Sequence, residues 1–174
     1  MLEIEIKALC PDLEKFKIRI IESGGVFESA GSERDIYYNH PCRDFRKTYE
    51  AFRIRISGSD TYITYKGPKI GDRAKTRFEL ETPITSADDM DVILEKLGFV
   101  KSGEVIKVRE IYKISDITIC LDRVQGLGDF VELEIISEDK EQAEKIIFDM
   151  AEKFGLDKFE RRSYLELLLL KKVQ

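Results

Sequence analysis

The chain has 174 residues, of which 43% are hydrophobic and 36% charged, a composition that fits one compact domain with a real core and excludes global disorder. Its formal net charge of −5 argues against a general nucleic-acid coat, which needs a basic excess. Strict alternation of apolar and charged residues predicts a strand over 1–7. Pro11 and Asp12 then open a helix with Leu13, Phe16 and Ile20 on one face, ended by Gly24-Gly25. A strand near 32–38 and a polar loop over 39–47 follow. Three strands come next, at about 51–57, 61–66 and 76–82. Gly58-Ser59-Asp60 reads as a hairpin turn, and 67–75 as a longer loop rich in Gly and Lys. Ser86 is placed to cap a second helix with Met90, Ile93, Leu94 and Leu97 on its apolar face and Gly98 as its stop. Strands are expected at about 105–111, 117–122 and 130–136. The pattern breaks near 111–113, where a bulge or a strand end is expected. A third helix runs over about 140–154, with Ala143, Ile147, Met150 and Phe154 on one face and Gly155 as stop. The leucine-rich stretch 164–172 is compatible with a last strand entering a helix, and its local pattern does not decide.

No linker or low-complexity segment divides the chain, so 1–174 reads as a single domain. No apolar run nears the ~20 residues of a membrane span, and the first seven residues are unlike a signal peptide. Cys10, Cys42 and Cys120 are far apart and odd in number, which suggests a reducing cytoplasm without disulfides or a structural zinc site. They read as small packing residues. The single histidine, His40, excludes sites that need two imidazoles and reads as a turn residue beside Pro41. A weak internal repeat is also visible. Glu-x-Glu leads to Arg-x-x-Tyr as Glu3/Glu5 to Arg34/Tyr37, Glu79/Glu81 to Arg109/Tyr112 and Glu132/Glu134 to Arg161/Tyr164, with 32, 31 and 30 residues from the second Glu to the Tyr. The near-constant spacing suggests a pseudo-symmetric unit of strand, helix and strand.

The most informative feature is which face of each strand is charged. Residues two apart on a strand share a face. Glu3, Glu5 and Lys7 therefore face one way and Leu2, Ile4 and Ile6 the other. The same division puts together Arg53 and Arg55; Tyr62, Thr64 and Lys66; Lys75, Arg77, Glu79 and Glu81; Lys107 and Arg109; and Glu132 and Glu134, with Asp122 opposite Leu121. An ordinary half-solvated sheet is one reading, with salt bridges neutralising the charges, most simply Glu79 and Glu81 beside Arg77. The other follows from the helices. If their apolar faces cover the apolar face of the sheet, the charged face curls on itself into a barrel with a polar lumen. Carboxylate pairs with few histidines suit hard divalent cations, and Arg and Lys suit phosphate oxygens. A polyphosphate chelated to metal satisfies both. Lys75 and Arg77 count among the candidate phosphate contacts on this basis.

The ordered motifs resemble the CYTH superfamily, the triphosphate tunnel metalloenzymes. They are Glu3-Ile4-Glu5-Ile6-Lys7, Asp35-x-Tyr37-x-x-x-Pro41, Arg53-x-Arg55, Tyr65-Lys66-Gly67, Arg77-x-Glu79-x-Glu81, Lys107-x-Arg109, the run from Asp122 to Glu134, and Ser163-Tyr164. The resemblance implies an α+β fold, an eight-stranded antiparallel tunnel with helices outside. It implies Mg²⁺ or Mn²⁺ held by Glu3, Glu5, Asp122, Glu132 and Glu134, directly or through water, with Glu79 and Glu81 in support. It places Lys7, Arg53, Arg55, Lys66, Lys107 and Arg109 on phosphates, and Arg162 as a further contact. Glu3, Glu5, Glu134 and Lys66 are the expected catalytic group. The segment Asp35 to Phe45 is similar to the class IV adenylate cyclase-like branch, which makes cyclic AMP and pyrophosphate from ATP. A triphosphatase acting on inorganic triphosphate, thiamine triphosphate or nucleotides uses the same tunnel, and a non-catalytic polyphosphate sensor is a third reading. The expected partner is therefore a nucleoside triphosphate or another triphosphate, with neither nucleic acid nor membrane, and a homodimer stays open. The loop 67–75, with Lys69 and Arg73, reads either as a lid that draws in anions or as a solvated hairpin loop.

Overall fold

The computed structural model describes residues 2–70 and 74–172. In chain order the elements are β1 (Leu2–Leu9), α1 (Leu13–Glu22), β2 (Val26–Asn39), α2 (Phe45–Thr48), β3 (Ala51–Ser57), β4 (Asp60–Lys66) and β5 (Lys75–Pro83). They continue as α3 (Ala87–Lys96), β6 (Val100–Ile114), β7 (Ile117–Val124), β8 (Gly128–Ser137), α4 (Lys140–Lys153) and α5 (Tyr164–Lys171). The eight strands close into an antiparallel barrel in the order β1-β5-β4-β3-β2-β6-β7-β8. The fold is the expected α+β tunnel with helices outside. No helix among the described residues is long and apolar enough to cross a membrane.

The apolar strand faces point outward onto the helices. Ile4, Ile6, Ile119, Leu121, Val131, Leu133 and Ile135 pack with Leu13, Phe16 and Ile20 of α1 and with Ala143, Ile147 and Ala151 of α4. Ile4, Ile20, Ile119, Val131, Leu133 and Ile147 are all fully buried, and each such side chain contributes roughly 1.5–3 kcal/mol of hydrophobic stabilisation. A smaller cluster of Tyr38, Ile54 and Leu94 sits under α3. A third, of Tyr37, Val105, Val124, Phe130 and Tyr164, sits under α5.

Several expectations change. β2 and β6 are longer than the alternation suggested, starting at Val26 and Val100, because their outer ends pair with each other from Val26↔Lys113 to Asn39↔Val100. The irregularity near 111–113 is real, but the extra residue lies on the partner strand. Phe27 pairs with Tyr112 and Ser29 with Ile111, so Glu28 is the one squeezed out, while β6 runs on to Ile114. The loop 39–47 contains the start of the short helix α2, capped by the Asp44 carboxylate. Residues 164–172 form no strand. Ser163 and Glu166 make a reciprocal capping box that starts a helix at Tyr164. On α3 only Leu94 is buried, and Ile93 and Leu97 are exposed. The repeat holds for β1-α1-β2 and β5-α3-β6, but the third copy ends in α5 instead of a strand. Arg34 also pairs outside the barrel with Glu104, whereas Arg109 points into it.

Strand direction gives the barrel two unlike ends. At one end lie the N-termini of β1, β4 and β7 and the C-termini of β3, β5 and β8. There the inward residues Ile136, Tyr62, Thr118 and Glu81 are at least partly open to solvent. At the other end Tyr37, Val105, Val124 and Phe130 are buried beneath α5 and Tyr164. Among the described residues, the tunnel is thus open at the first end and covered at the second.

Candidate functional site

The lumen is a cavity of about 660 Å³, within the usual range for small-ligand sites. Glu3, Glu5, Lys7, Arg53, Arg55, Lys66, Lys75, Arg77, Glu79, Glu81, Lys107, Arg109, Glu132 and Glu134 all line it. The period-two pattern brought these residues together because every strand contributes the same face. Their order along the strands is also regular. On β1 the acids Glu3 and Glu5 lie nearer the mouth and Lys7 deeper. On β5, Glu81 and Glu79 lie nearer the mouth, and Arg77 and Lys75 deeper.

Three of the expected metal ligands converge. Glu3, Glu5 and Glu134 each offer a carboxylate oxygen, and these oxygens lie within 4.8 Å of one another. Register explains the meeting: Glu5 is directly opposite Glu134 on β8, and Glu3 is two residues along β1 on the same face. Burial pushes the Glu134 carboxyl up to about 8, and the charges of Glu3, Glu132 and Glu5 push it the same way against Arg109. Arg109, 3.7 Å from Glu134, does not offset burial and the three neighbouring acids, so the three-carboxylate donor set fits a hard divalent cation. Burial alone would raise Glu3, but Lys66 beside it, with a hydrogen bond from Glu79, holds Glu3 far below the usual carboxylate range. Lys66 binds Glu3 at 2.8 Å and Glu79 at 2.7 Å. Burial lowers its affinity for a proton, yet the Glu3 charge outweighs that and keeps it a fixed cation. Glu79 is raised to about 7, by burial first and by its contact with Glu3 second.

Asp122 and Glu132 stand apart from this group. Asp122 is fully buried, and its two oxygens accept from Arg109 at 2.6 and 2.5 Å and from the Tyr164 hydroxyl at 2.8 Å. Glu132 accepts from the same guanidinium. Both hold Arg109, Asp122 through both of its oxygens and Glu132 through Oε2, and neither belongs to the converging group of Glu3, Glu5 and Glu134. The expected pairing of Glu79 and Glu81 with Arg77 is also replaced. Glu79 binds Lys66, while Glu81 accepts from the Thr64 hydroxyl and lies 3.9 Å from Arg53. Arg162 lies outside the lumen, half-exposed and paired with Glu160.

The remaining bases are held in place by carboxylates. Lys75 binds Glu5 at 2.7 Å, and Lys7 lies 3.7 Å from Glu132 and 4.2 Å above the Tyr164 ring. Burial and the neighbouring Lys75 drop Lys7 to about 7. Three lumen residues had been given no role from sequence. Asp35 binds Arg55 at 2.7 and 2.8 Å and Arg53 at 3.1 Å. Glu33 spans Arg55 and Lys107 at 3.2 and 3.3 Å, and Tyr37 receives a bond from Arg53 at 3.4 Å. The usable signal was their parity, since 33, 35 and 37 alternate on one face of β2 as the charged residues do elsewhere.

Of the loop 67–75, Gly67 donates to the Phe78 carbonyl and Ile70 to that of Thr76, and Lys69 binds Glu166 at 3.2 Å. Arg73 lies outside the described residues. His40 is a turn residue, its Nδ1 accepting from the Cys42 backbone N–H at 3.1 Å. All three cysteines are free, and Cys120 lines the lumen.

A closed antiparallel barrel that encloses an acid triad and a deep bank of bases defines a tunnel protein built around a charged ligand. Residues 1–164 match the CYTH domain, and the chain belongs to that family. It is 41% identical over 172 residues to MJ0240 of Methanocaldococcus jannaschii, provisionally named an adenylate cyclase, covering 96% of this chain and 98% of that protein. The solved structure of the PH1819 protein from Pyrococcus horikoshii superposes with a TM-score of 0.87 at 40% identity, covering 97% of this chain and 99% of the other. A Hippeastrum protein, HpAC1, provisionally an adenylyl cyclase and described as having a dominant triphosphatase activity, shares the fold at a TM-score of 0.71. It is 15% identical, with 98% of this chain and 95% of that one covered.

Proposed function

We propose that the protein is an enzyme that takes a nucleoside triphosphate with Mg²⁺ or Mn²⁺ into its tunnel and converts ATP to cyclic AMP and pyrophosphate. The observation that carries this reading is the convergence of Glu3, Glu5 and Glu134 on the mouth side of a deep bank of bases. The phosphate chain enters first, because only the deep end has a surplus of positive groups, and the nucleoside remains at the mouth. The acid triad then lies beside the phosphate nearest the ribose. A cation bound there supplies Lewis-acid polarisation of the phosphoryl oxygens and lowers the pKa of a bound hydroxyl. Lys66, held cationic beside Glu3, stabilises charge that develops on the bridging oxygen as the ribose 3′-oxygen attacks the α-phosphorus and pyrophosphate leaves. Arg53, Arg55, Lys75, Lys107 and Arg109 orient the departing chain. Three free thiols suit a reducing cytoplasm.

Hydrolysis of a triphosphate is the second reading. The activity described for HpAC1 favours it, and so does the ability of a chain without an organic end to lie either way round. Single variants test the enzyme reading. Glu134→Ala should abolish turnover while leaving nucleotide binding in place, and Lys66→Ala should weaken binding with the fold intact by circular dichroism. Undiminished turnover in Glu134→Ala would remove the triad from the chemistry.

A further inference from the structure

Arg77 is the exception in an otherwise self-neutralised lumen. Its side chain is 7% exposed, and among the described residues no ion pair or hydrogen bond engages its guanidinium. Every other lumen base has a carboxylate within reach: Lys7 with Glu132, Arg53 and Arg55 with Asp35, Lys66 with Glu3, Lys75 with Glu5, and Lys107 and Arg109 with Asp122. Among the described residues no carboxylate balances this guanidinium, and a phosphate oxygen is the kind of partner that would. Position narrows what that partner is. Arg77 lines both the tunnel and a small side cavity that holds Lys69 and Ser163, next to the covered end. Burial and the charges of Lys75 and Arg77 act on the Lys69 ammonium against the Glu166 carboxylate that binds it, so Lys69 is paired there, whereas among the described residues Arg77 is not.

At every other base an incoming phosphate shares the donors with a carboxylate, but at Arg77 no carboxylate of the described residues competes for the fork. We infer that Arg77 reads the far end of the phosphate chain. It grips the terminal phosphoryl group and thereby sets the preference for three phosphates over two. This rests on the triphosphate reading above and adds the residue that measures chain length.

The test is calorimetric titration with Mg²⁺ of two analogues that resist turnover, α,β:β,γ-bismethylene ATP and α,β-methylene ADP, which differ by one phosphoryl group. The wild type should favour the triphosphate. Arg77→Gln should cut that preference by about tenfold or more, the effect of one charge-assisted hydrogen bond, and leave diphosphate affinity within about twofold. Arg77→Lys should fall between the two. An equal loss for both analogues would reduce Arg77 to a general charge and overturn the inference, as would an unchanged preference. Failure of the wild type to bind either analogue would overturn the triphosphate reading together with the inference.

Discussion

Asp35→Asn is the most revealing single substitution. Asp35 is 2% exposed, and its carboxylate takes three hydrogen bonds from the two arginines of β3. Asparagine keeps the shape but removes the charge that cancels two guanidinium groups. Breaking a buried ion pair from one side costs about 3–5 kcal/mol. Arg55 keeps Glu33 at 3.2 Å and Arg53 keeps the Tyr37 hydroxyl at 3.4 Å, so the lower figure applies. About 3 kcal/mol lowers Tm by roughly 6–12 °C in a chain of this size. The lost charge is one that a phosphate anion can replace, so pyrophosphate should raise Tm more in the variant than in the wild type. The pH dependence has a definite sign. Arg53 and Arg55 hold the Asp35 carboxyl well below its ordinary value against the effect of burial. Its stabilisation is therefore present above about pH 4, where the unfolded carboxyl ionises. The gap between wild type and variant should begin to close as pH falls below that. Differential scanning calorimetry with and without pyrophosphate measures all three effects. A Tm within about 2 °C of wild type, or no larger response to pyrophosphate, would refute the idea that Asp35 stands in for the ligand's charge.

Three further outcomes are expected. Since Glu134 carries its proton up to about pH 8, Mg²⁺ affinity should rise about tenfold per pH unit from 6 towards 8 and then level; calorimetry in buffers of different ionisation enthalpy should show release of close to one proton at pH 7, and affinity independent of pH would contradict it. Tyr164→Phe removes the bond to Asp122 and should cost about 1.5–3 kcal/mol by denaturant unfolding, with no measurable loss meaning that α5 does not brace Arg109. Ca²⁺ in place of Mg²⁺ should bind and inhibit turnover, because its larger, looser shell misplaces the reacting oxygens; equal rates with the two ions would argue against the triad as the metal site.

The barrel was legible because its strands obey one rule. Glu3, Glu5 and Glu132 all alternate against aliphatic neighbours, and alternation survives folding when one face is dry and the other is the lumen. The outer ends of β2 and β6 lack that contrast. Residues 26–31 are exposed on both faces, so nothing in their order marks a strand, and only pairing with β6 makes them one. The leucines of α5 defeated local reading for the opposite reason, since a run apolar on all sides has no period to read. Within the site, residue types showed which side chains enter the tunnel but not which touch. Asp122 and Glu134 looked alike as carboxylates. Only the register, which sets Asp122 against Arg109 and Glu134 against Glu5, separates a clamp for a guanidinium from a member of the triad.

The most direct test is product analysis after incubating the protein with ATP and Mg²⁺ or Mn²⁺, with inorganic triphosphate in parallel. A nucleoside at the mouth and an acid triad beside the first phosphate predict cyclic AMP and pyrophosphate in equal amounts. Orthophosphate with no cyclic AMP would contradict that placement and move the chemistry to the far end of the chain.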